Sequence, residues 1–282
     1  MHFFDLHCDT AYRCYTENLP LSDKSLAFSL SAVDKFNCYR QCFAIFIRDD
    51  CRAPFDFYKA VLKDIKEKLK IKPISLVPYF TLEGGSLIDT KEKVYELYLD
   101  DIRAITLTWN GENKIAGGVD SDKGLTPFGR EIIAALNSFK IFTDLSHLNK
   151  KSFYKAVECA EFPIASHSNC YAIRGHKRNL SDEQIRLISE KGGIIGLCFY
   201  PDFLGGDVFL SLYENICHLL YMGLENNIAI GSDFDGGVMD KKLSTSADIF
   251  ALWRYLECKG IEKEILCKIF YKNALKFFDK RA

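Results

Sequence analysis

A chain of 282 residues, 48% of them hydrophobic, can bury a large core, and α/β barrels of this length fold as one domain. Its 37 basic and 38 acidic residues leave a formal net charge of -1, which gives no global field for nucleic acid or an anionic membrane. Eleven cysteines, an odd number with no C-x-x-C pair, argue against a disulfide framework and for free thiols in a reducing compartment. Asp5 and His7 interrupt the N-terminus before the apolar core of a secretory leader can form, and the longest apolar runs, such as 194–200, are too short to span a bilayer. A soluble cytoplasmic protein is expected.

In chain order, short apolar, β-branched runs alternate with longer amphipathic ones, the pattern of a parallel sheet with crossover helices. Strands are predicted at 3–7, 41–47, 74–82, 102–108, 140–145, 163–167, 193–199 and 228–232. Helices are predicted at 55–69, 127–139, 150–159, 181–190, 210–222, 247–259 and 262–278. Ser181 with Gln184 three residues later has the form of a capping box. The lysine-rich stretch 63–70 carries Val61, Leu62, Ile65 and Leu69 on one helical face, so its lysines read as the solvated side of a barrel helix. Eight strands point to a (β/α)8 TIM-type barrel spanning residues 1–282, although an open doubly wound sheet with an extra strand gives a similar string. Polar loops at 110–126 and 201–207 follow strands four and seven, at the end of the sheet where active-site loops belong.

The polar residues are placed at the strand ends. Strand one delivers His7 and Asp9, two residues apart and therefore on one side, with Cys8 on the other. Strand three ends in Glu83, followed by Gly84 and Gly85; strand five leads to Asp144 and His147, strand six to His167, and strand eight to Asp233 and Asp235. All strand C-termini of a parallel barrel open onto one face, so these side chains converge on one cleft. Histidines and carboxylates with little cysteine suit zinc or another divalent first-row ion. A carboxylate such as Glu83, standing between two metals, can give each one oxygen. His2, His176 and His218 are left as structural, since His2 precedes strand one, His176 lies in a loop and His218 in a helix.

Together, Asp5-Leu6-His7-Cys8-Asp9-Thr10, Leu82-Glu83-Gly84-Gly85, Asp144-Leu145-Ser146-His147, Ser166-His167-Ser168-Asn169, Arg178-Asn179, Gly231-Ser232-Asp233-Phe234-Asp235-Gly236 and Asn273-Ala274-Leu275 resemble the membrane (renal) dipeptidases, metallopeptidases of the amidohydrolase superfamily. The resemblance implies that His7 and Asp9 hold one zinc, that His147 and His167 hold a second, and that Glu83 bridges them. It further implies that Arg178 receives the substrate's terminal carboxylate, a bidentate task suited to guanidinium. Asp233 matches the family's acid-base aspartate, while Asp235 is the weaker candidate and shapes the turn at Gly236. One departure stands at 107–110: where many members carry a histidine after Leu-Thr, this chain has Trp109 and then Asn110. An indole N–H donates one hydrogen bond without a positive charge, so Trp109 is either donor or hydrophobic wall, and Asn110 is an alternative donor.

The expected activity is a zinc-dependent dipeptidase in which a hydroxide bridging two zinc ions, or two other divalent metals, attacks the peptide carbonyl while Asp233 moves the proton to the leaving amine. The expected partner is a small dipeptide, with no nucleic acid and no membrane; a homodimer is left open. Two alternatives stand beside it: an amidohydrolase acting on an N-acyl amino acid or a lactone, and an inactive metal-stabilised ligand-binding protein.

Overall fold

The computed structural model describes residues 1–279. Eight parallel strands close a barrel in chain order: β1 (His2–Cys8), β2 (Cys38–Phe46), β3 (Leu76–Glu83), β4 (Ile102–Thr106), β5 (Phe142–Asp144), β6 (Pro163–Ala165), β7 (Ile194–Leu197) and β8 (Ile228–Ile230). The fold is therefore the (β/α)8 barrel. The circle is completed where Asp5 of β1 pairs with Ile230 of β8.

Helices α1 (Thr10–Thr16), α2 (Leu30–Val33), α3 (Pro54–Lys68), α4 (Glu92–Leu99), α5 (Pro127–Ser138), α6 (Lys150–Cys159), α7 (Asp182–Glu190), α8 (Pro201–Leu204), α9 (Val208–Tyr221), α10 (Ile249–Cys258), α11 (Lys263–Cys267) and α12 (Asn273–Phe278) follow the strands. Their apolar faces pack on the outside of the barrel: Val61 and Ile65 of α3, Ile132 and Ile133 of α5 and Leu212 and Ile216 of α9 join Phe3, Phe43 and Ile105 in one buried cluster. A smaller cluster fills the barrel with Phe4, Leu6, Ala104, Phe142, Ile164, Ile194 and Ala229. Phe277 and Phe278 close it, their rings 4.6 and 5.1 Å from that of Phe142, and Phe278 lies 4.8 Å from Phe4. Since α12 packs under the starts of the strands, the opposite end is left for the loops.

Most predicted strands overrun at their ends, whereas β1 and β2 begin before the predicted residues. Ile74 is apolar yet fully exposed in the approach to β3, and Lys140 sits at φ 52° in a turn before β5. The predicted helix at 262–278 is three pieces, because a π-helical turn, Lys268–Lys272, separates α11 from α12. The short α1, α2, α4 and α8 were not expected, and His2, expected ahead of the first strand, begins β1 and packs its ring on Tyr271. No helix among the described residues is long and apolar enough to cross a membrane.

β1 carries an irregularity that decides the site. Asp5 pairs with Gln41 but Cys8 with Phe43, so one extra residue is inserted in β1. Phe4 and Leu6 face the barrel interior and Phe3 and Cys8 the helices. Strict alternation from Phe4 and Leu6 would have turned His7 outward; the bulge turns it in.

Candidate active site

Of the nine residues given a metal, substrate or acid-base role from the sequence, eight, Asp9, Glu83, Trp109, Asn110, His147, His167, Arg178 and Asp233, line one cleft of about 660 Å³ at the C-terminal end of the strands. The ninth, His7, is buried and meets three of them: its Nε2 lies 3.5 Å from Asp9 Oδ2, 3.4 Å from Glu83 Oε2 and 3.7 Å from Asp233 Oδ1. Glu83 turns its other oxygen away from this group. Glu83 Oε1 is 2.9 Å from His147 Nε2 and 3.7 Å from His167 Nε2. One carboxylate thus faces two ligand pairs, one oxygen to each.

The donor set fits metal ions. His7, Glu83 and His167 present ligand atoms within 4.8 Å of one another, as do His7, Asp9 and Asp233. Buried His7 Nε2 and Asp9 Oδ1 have no hydrogen-bond partner, a costly state for polar atoms that a cation would relieve. The tautomers agree. His147 Nδ1 meets Asn110 Oδ1 at 2.9 Å, and His167 Nδ1 meets Ser166 Oγ at 2.8 Å, whose own proton goes to Asp144 Oδ2 at 2.5 Å. With each Nδ1–H so committed, the lone pairs of His147 Nε2 and His167 Nε2 face each other at 2.9 Å, an arrangement that a shared cation stabilises.

Two buried aspartates hold these turns. Asp144 Oδ1 accepts from the backbone N–H of Ser146 at 3.1 Å and of Ser166 at 3.0 Å, and its Oδ2 accepts from Thr106 Oγ1 at 2.7 Å. Asp5 does the same on the other side of the barrel: Oδ1 accepts from the N–H of His7 at 3.3 Å and of Ser232 at 2.8 Å, and Oδ2 from Ser232 Oγ at 2.6 Å. Asp5 therefore fastens the backbone of His7 to the serine before Asp233, and Asp144 fastens the residue before His147 to the serine before His167. Asp144, expected among the strand-end residues of the cleft, is instead spent on backbone. Asp235 lines the cleft, but its oxygens are likewise engaged, accepting from Thr10 Oγ1 at 2.6 Å and from Arg13 at 3.0 Å. His147 and Asp233 occupy left-handed backbone, φ 68° and 64°, the local strain common where a side chain must be aimed.

Burial works against every charge here. It would lower the pKa of His7, but the Glu83 and Asp9 carboxylates beside the ring raise it well above the usual value. Burial raises Glu83 too, yet the charge of His7 beside it holds it well below the carboxylate range. Burial, reinforced by the Arg178 charge, pushes His147 down to about 4, and burial with the His7 charge holds His167 well below the usual imidazole value. Neutral imidazoles are what metal binding requires. Burial raises Asp9 and Asp233. Arg178, 5% exposed, donates from a terminal nitrogen to the His167 carbonyl at 3.3 Å while its buried Nε is unpartnered.

The cleft has further walls that motifs did not reveal. Tyr12, Phe46, Tyr200, Phe203 and His176 line it, and the His176 Nδ1 accepts from the Arg178 backbone at 3.2 Å. His176, left as structural in the sequence, is thus at the mouth of the cleft. Only Tyr200 and Phe46 had a signal, lying at the ends of predicted strands.

A sequence model of the membrane dipeptidases (peptidase family M19) matches residues 58–281. An uncharacterized protein of Klebsiella pneumoniae, from the 5′ region of pqqA, is 30% identical over 230 residues, 76% of this chain and 84% of that one. An uncharacterized dipeptidase of Schizosaccharomyces pombe is 31% identical over 168 residues, 55% of this chain but only 40% of its own length. A metallopeptidase of Rhodobacter sphaeroides, solved with a phosphinate mimic of the dipeptide L-Ala-D-Ala, superposes with a TM-score of 0.90 at 20% identity, covering 100% of this chain and 99% of that one. The chain belongs to the membrane dipeptidase family of metallopeptidases.

Proposed function

We propose that this protein is a zinc-dependent dipeptidase, a single barrel domain over residues 1–282 that cleaves dipeptides with a free C-terminal carboxylate. The observation that carries this reading is Glu83, one oxygen toward His7 and Asp9 and the other toward His147 and His167, as a residue bridging two ions would stand. Two zinc ions, or another divalent pair, would supply Lewis acidity for the scissile carbonyl and a bridging water of lowered pKa, hydroxide at neutral pH. The family membership supports the peptidase reading, and the dipeptide mimic bound by the Rhodobacter sphaeroides enzyme supports a substrate of that size.

The chain's own groups then have distinct tasks. Arg178 holds the substrate carboxylate, and its unpartnered Nε, buried beside the cleft, supports that task. Because Arg178 lies in the loop after β6 and so next to the ligand His167, an anchored carboxylate sets the chain length: one residue fits between anchor and metals. Asp233, whose Oδ1 faces His7 and whose pKa is raised by burial, takes a proton from water and returns it to the leaving amine. Asn110 keeps His147 in the tautomer that frees Nε2. Trp109 forms a wall with one N–H donor where many relatives carry histidine. The eleven free cysteines support a reducing, cytoplasmic setting.

Metal analysis and hydrolysis of a dipeptide panel test the reading. Wild type is expected to hold two metal equivalents and to cleave dipeptides, but not their C-terminal amides, whereas Glu83→Ala loses metal and activity together. Full activity in metal-free Glu83→Ala would refute it. Arg178→Ala should raise KM for dipeptides by 10-fold or more, corresponding to about 1.4 kcal/mol of lost binding.

A further inference from the structure

Three aromatic rings line one wall of the cleft. Phe46 ends β2, Trp109 follows β4, and Tyr12 lies on α1 just after β1. They form a row: Tyr12 and Phe46 meet edge to face with centroids 5.1 Å apart, and Phe46 and Trp109 do the same at 5.1 Å. Phe57 of α3 backs Tyr12 at 6.0 Å. All three lining rings are only partly buried, although aromatic rings elsewhere in the barrel, Phe43 and Phe142 among them, are fully enclosed. Their open faces are turned to the cleft they line.

In a closed eight-stranded barrel, β2 lies across from β6, whose following loop carries Arg178, and β3 and β4 lie across from β7 and β8. A dipeptide whose carboxylate is held at Arg178 therefore runs from the β6 side across the candidate metal ligands, and its N-terminal residue arrives at the β2 side, where Phe46 stands between Tyr12 after β1 and Trp109 after β4. Charges next to that wall are already engaged: Arg13 forms a fork with Glu17 at 2.9 and 3.0 Å and reaches Asp235 at 3.0 Å. Asp49 accepts from the Gly111 backbone at 2.7 Å. What remains for a side chain is apolar ring surface, held rigid by its own edge-to-face packing so that little entropy is lost on contact.

We propose that the Tyr12, Phe46 and Trp109 row is the subsite for the substrate's N-terminal side chain and selects large apolar or aromatic residues there. This rests on the dipeptidase reading above, and it deepens that reading by naming the substrate class. The cross-barrel direction fixes which end of the dipeptide feels the wall, so selectivity is directional: it acts on Phe-Ala and not on Ala-Phe.

The test is kcat/KM on zinc-loaded protein for Phe-Ala, Leu-Ala, Gly-Ala, Arg-Ala, Ala-Phe and Ala-Gly, in wild type, Trp109→Ala and Phe46→Ala. Wild type should cleave Phe-Ala and Leu-Ala at least 10-fold more efficiently than Gly-Ala. That ratio should fall by 5-fold or more in each variant, while the Ala-Phe to Ala-Gly ratio changes less than 2-fold. Equal efficiency on Phe-Ala and Gly-Ala in wild type overturns the inference without recourse to any variant, and so does a preference for Arg-Ala over both. Retention of the wild-type ratio in both variants overturns it as well. Failure of wild type to cleave any of the six removes the dipeptidase reading itself, a different outcome from cleaving all six alike.

Discussion

Asp144 shows how much a single residue's direction matters. From the sequence it stands at the end of a strand among metal-ligand types, yet its four accepted hydrogen bonds go to Ser146, Ser166 and Thr106. Position along a strand can be read from the string of residues; which way a side chain leaves the barrel rim, where backbone bends into loop, cannot. His7 is the converse case, since the bulge that turns it inward comes from pairing with β2 and has no local signature. Because Ser166 passes the Asp144 carboxylate on to His167 Nδ1, removing Asp144 leaves buried donors unpaired and frees the imidazole to rotate. Asp144→Ala should lower unfolding free energy by about 3 kcal/mol in urea titrations. In the same variant zinc affinity, followed by calorimetric titration, should weaken roughly 10- to 100-fold. Wild-type values for both would show that the carboxylate holds nothing.

Element boundaries were legible where the signal is local. The capping box read from Ser181 and Gln184 is present in full, Ser181 Oγ accepting from the Gln184 N–H at 3.3 Å and Gln184 Oε1 from the Ser181 N–H at 3.0 Å. Ser181→Ala should therefore cost about 1 kcal/mol of stability. All eight strands are found, but predicted ends such as 102–108 and 193–199 run past the observed ones because apolar residues continue into the buried loops that carry the site. Helices of four to eight residues, α2, α8, α1 and α4, are too short for a 3.6-residue period to stand out. The π turn ahead of α12 is likewise silent in the sequence, yet α12 is what brings Phe277 and Phe278 under the barrel. Phe278, 4% exposed against Phe4, Phe142 and Tyr79, fills the end remote from the cleft. Phe278→Ala should cost about 3 to 5 kcal/mol in chemical denaturation. KM for dipeptides should stay at the wild-type value, and a large KM change would mean that the two ends of the barrel are coupled.

At the scale of the whole molecule the barrel is a frame that gathers charge at one end. Net charge is near zero, but buried Asp9 and Glu83 and partly buried Asp233 gather there, with His7 drawn toward protonation by the Glu83 and Asp9 carboxylates beside it. The candidate ligands on β1, β3 and the turns after β5 and β6 come from strands distant in sequence, so ions held among them would cross-link the barrel as well as neutralise it. Binding to the native state alone adds RT ln(1 + [L]/Kd), about 2.7 kcal/mol per site at a free metal concentration 100 times Kd. For a chain of this size that corresponds to a melting-point rise of roughly 5 to 10 °C per site. Exhaustive chelation should accordingly lower the melting temperature by that order and abolish hydrolysis, and stoichiometric zinc should restore both. Glu83→Ala, lacking the carboxylate that faces both ligand pairs, should show little of the chelator-dependent shift. If wild type melts at the same temperature with and without chelator, metal does not bind to these strand ends, and the peptidase reading falls with it.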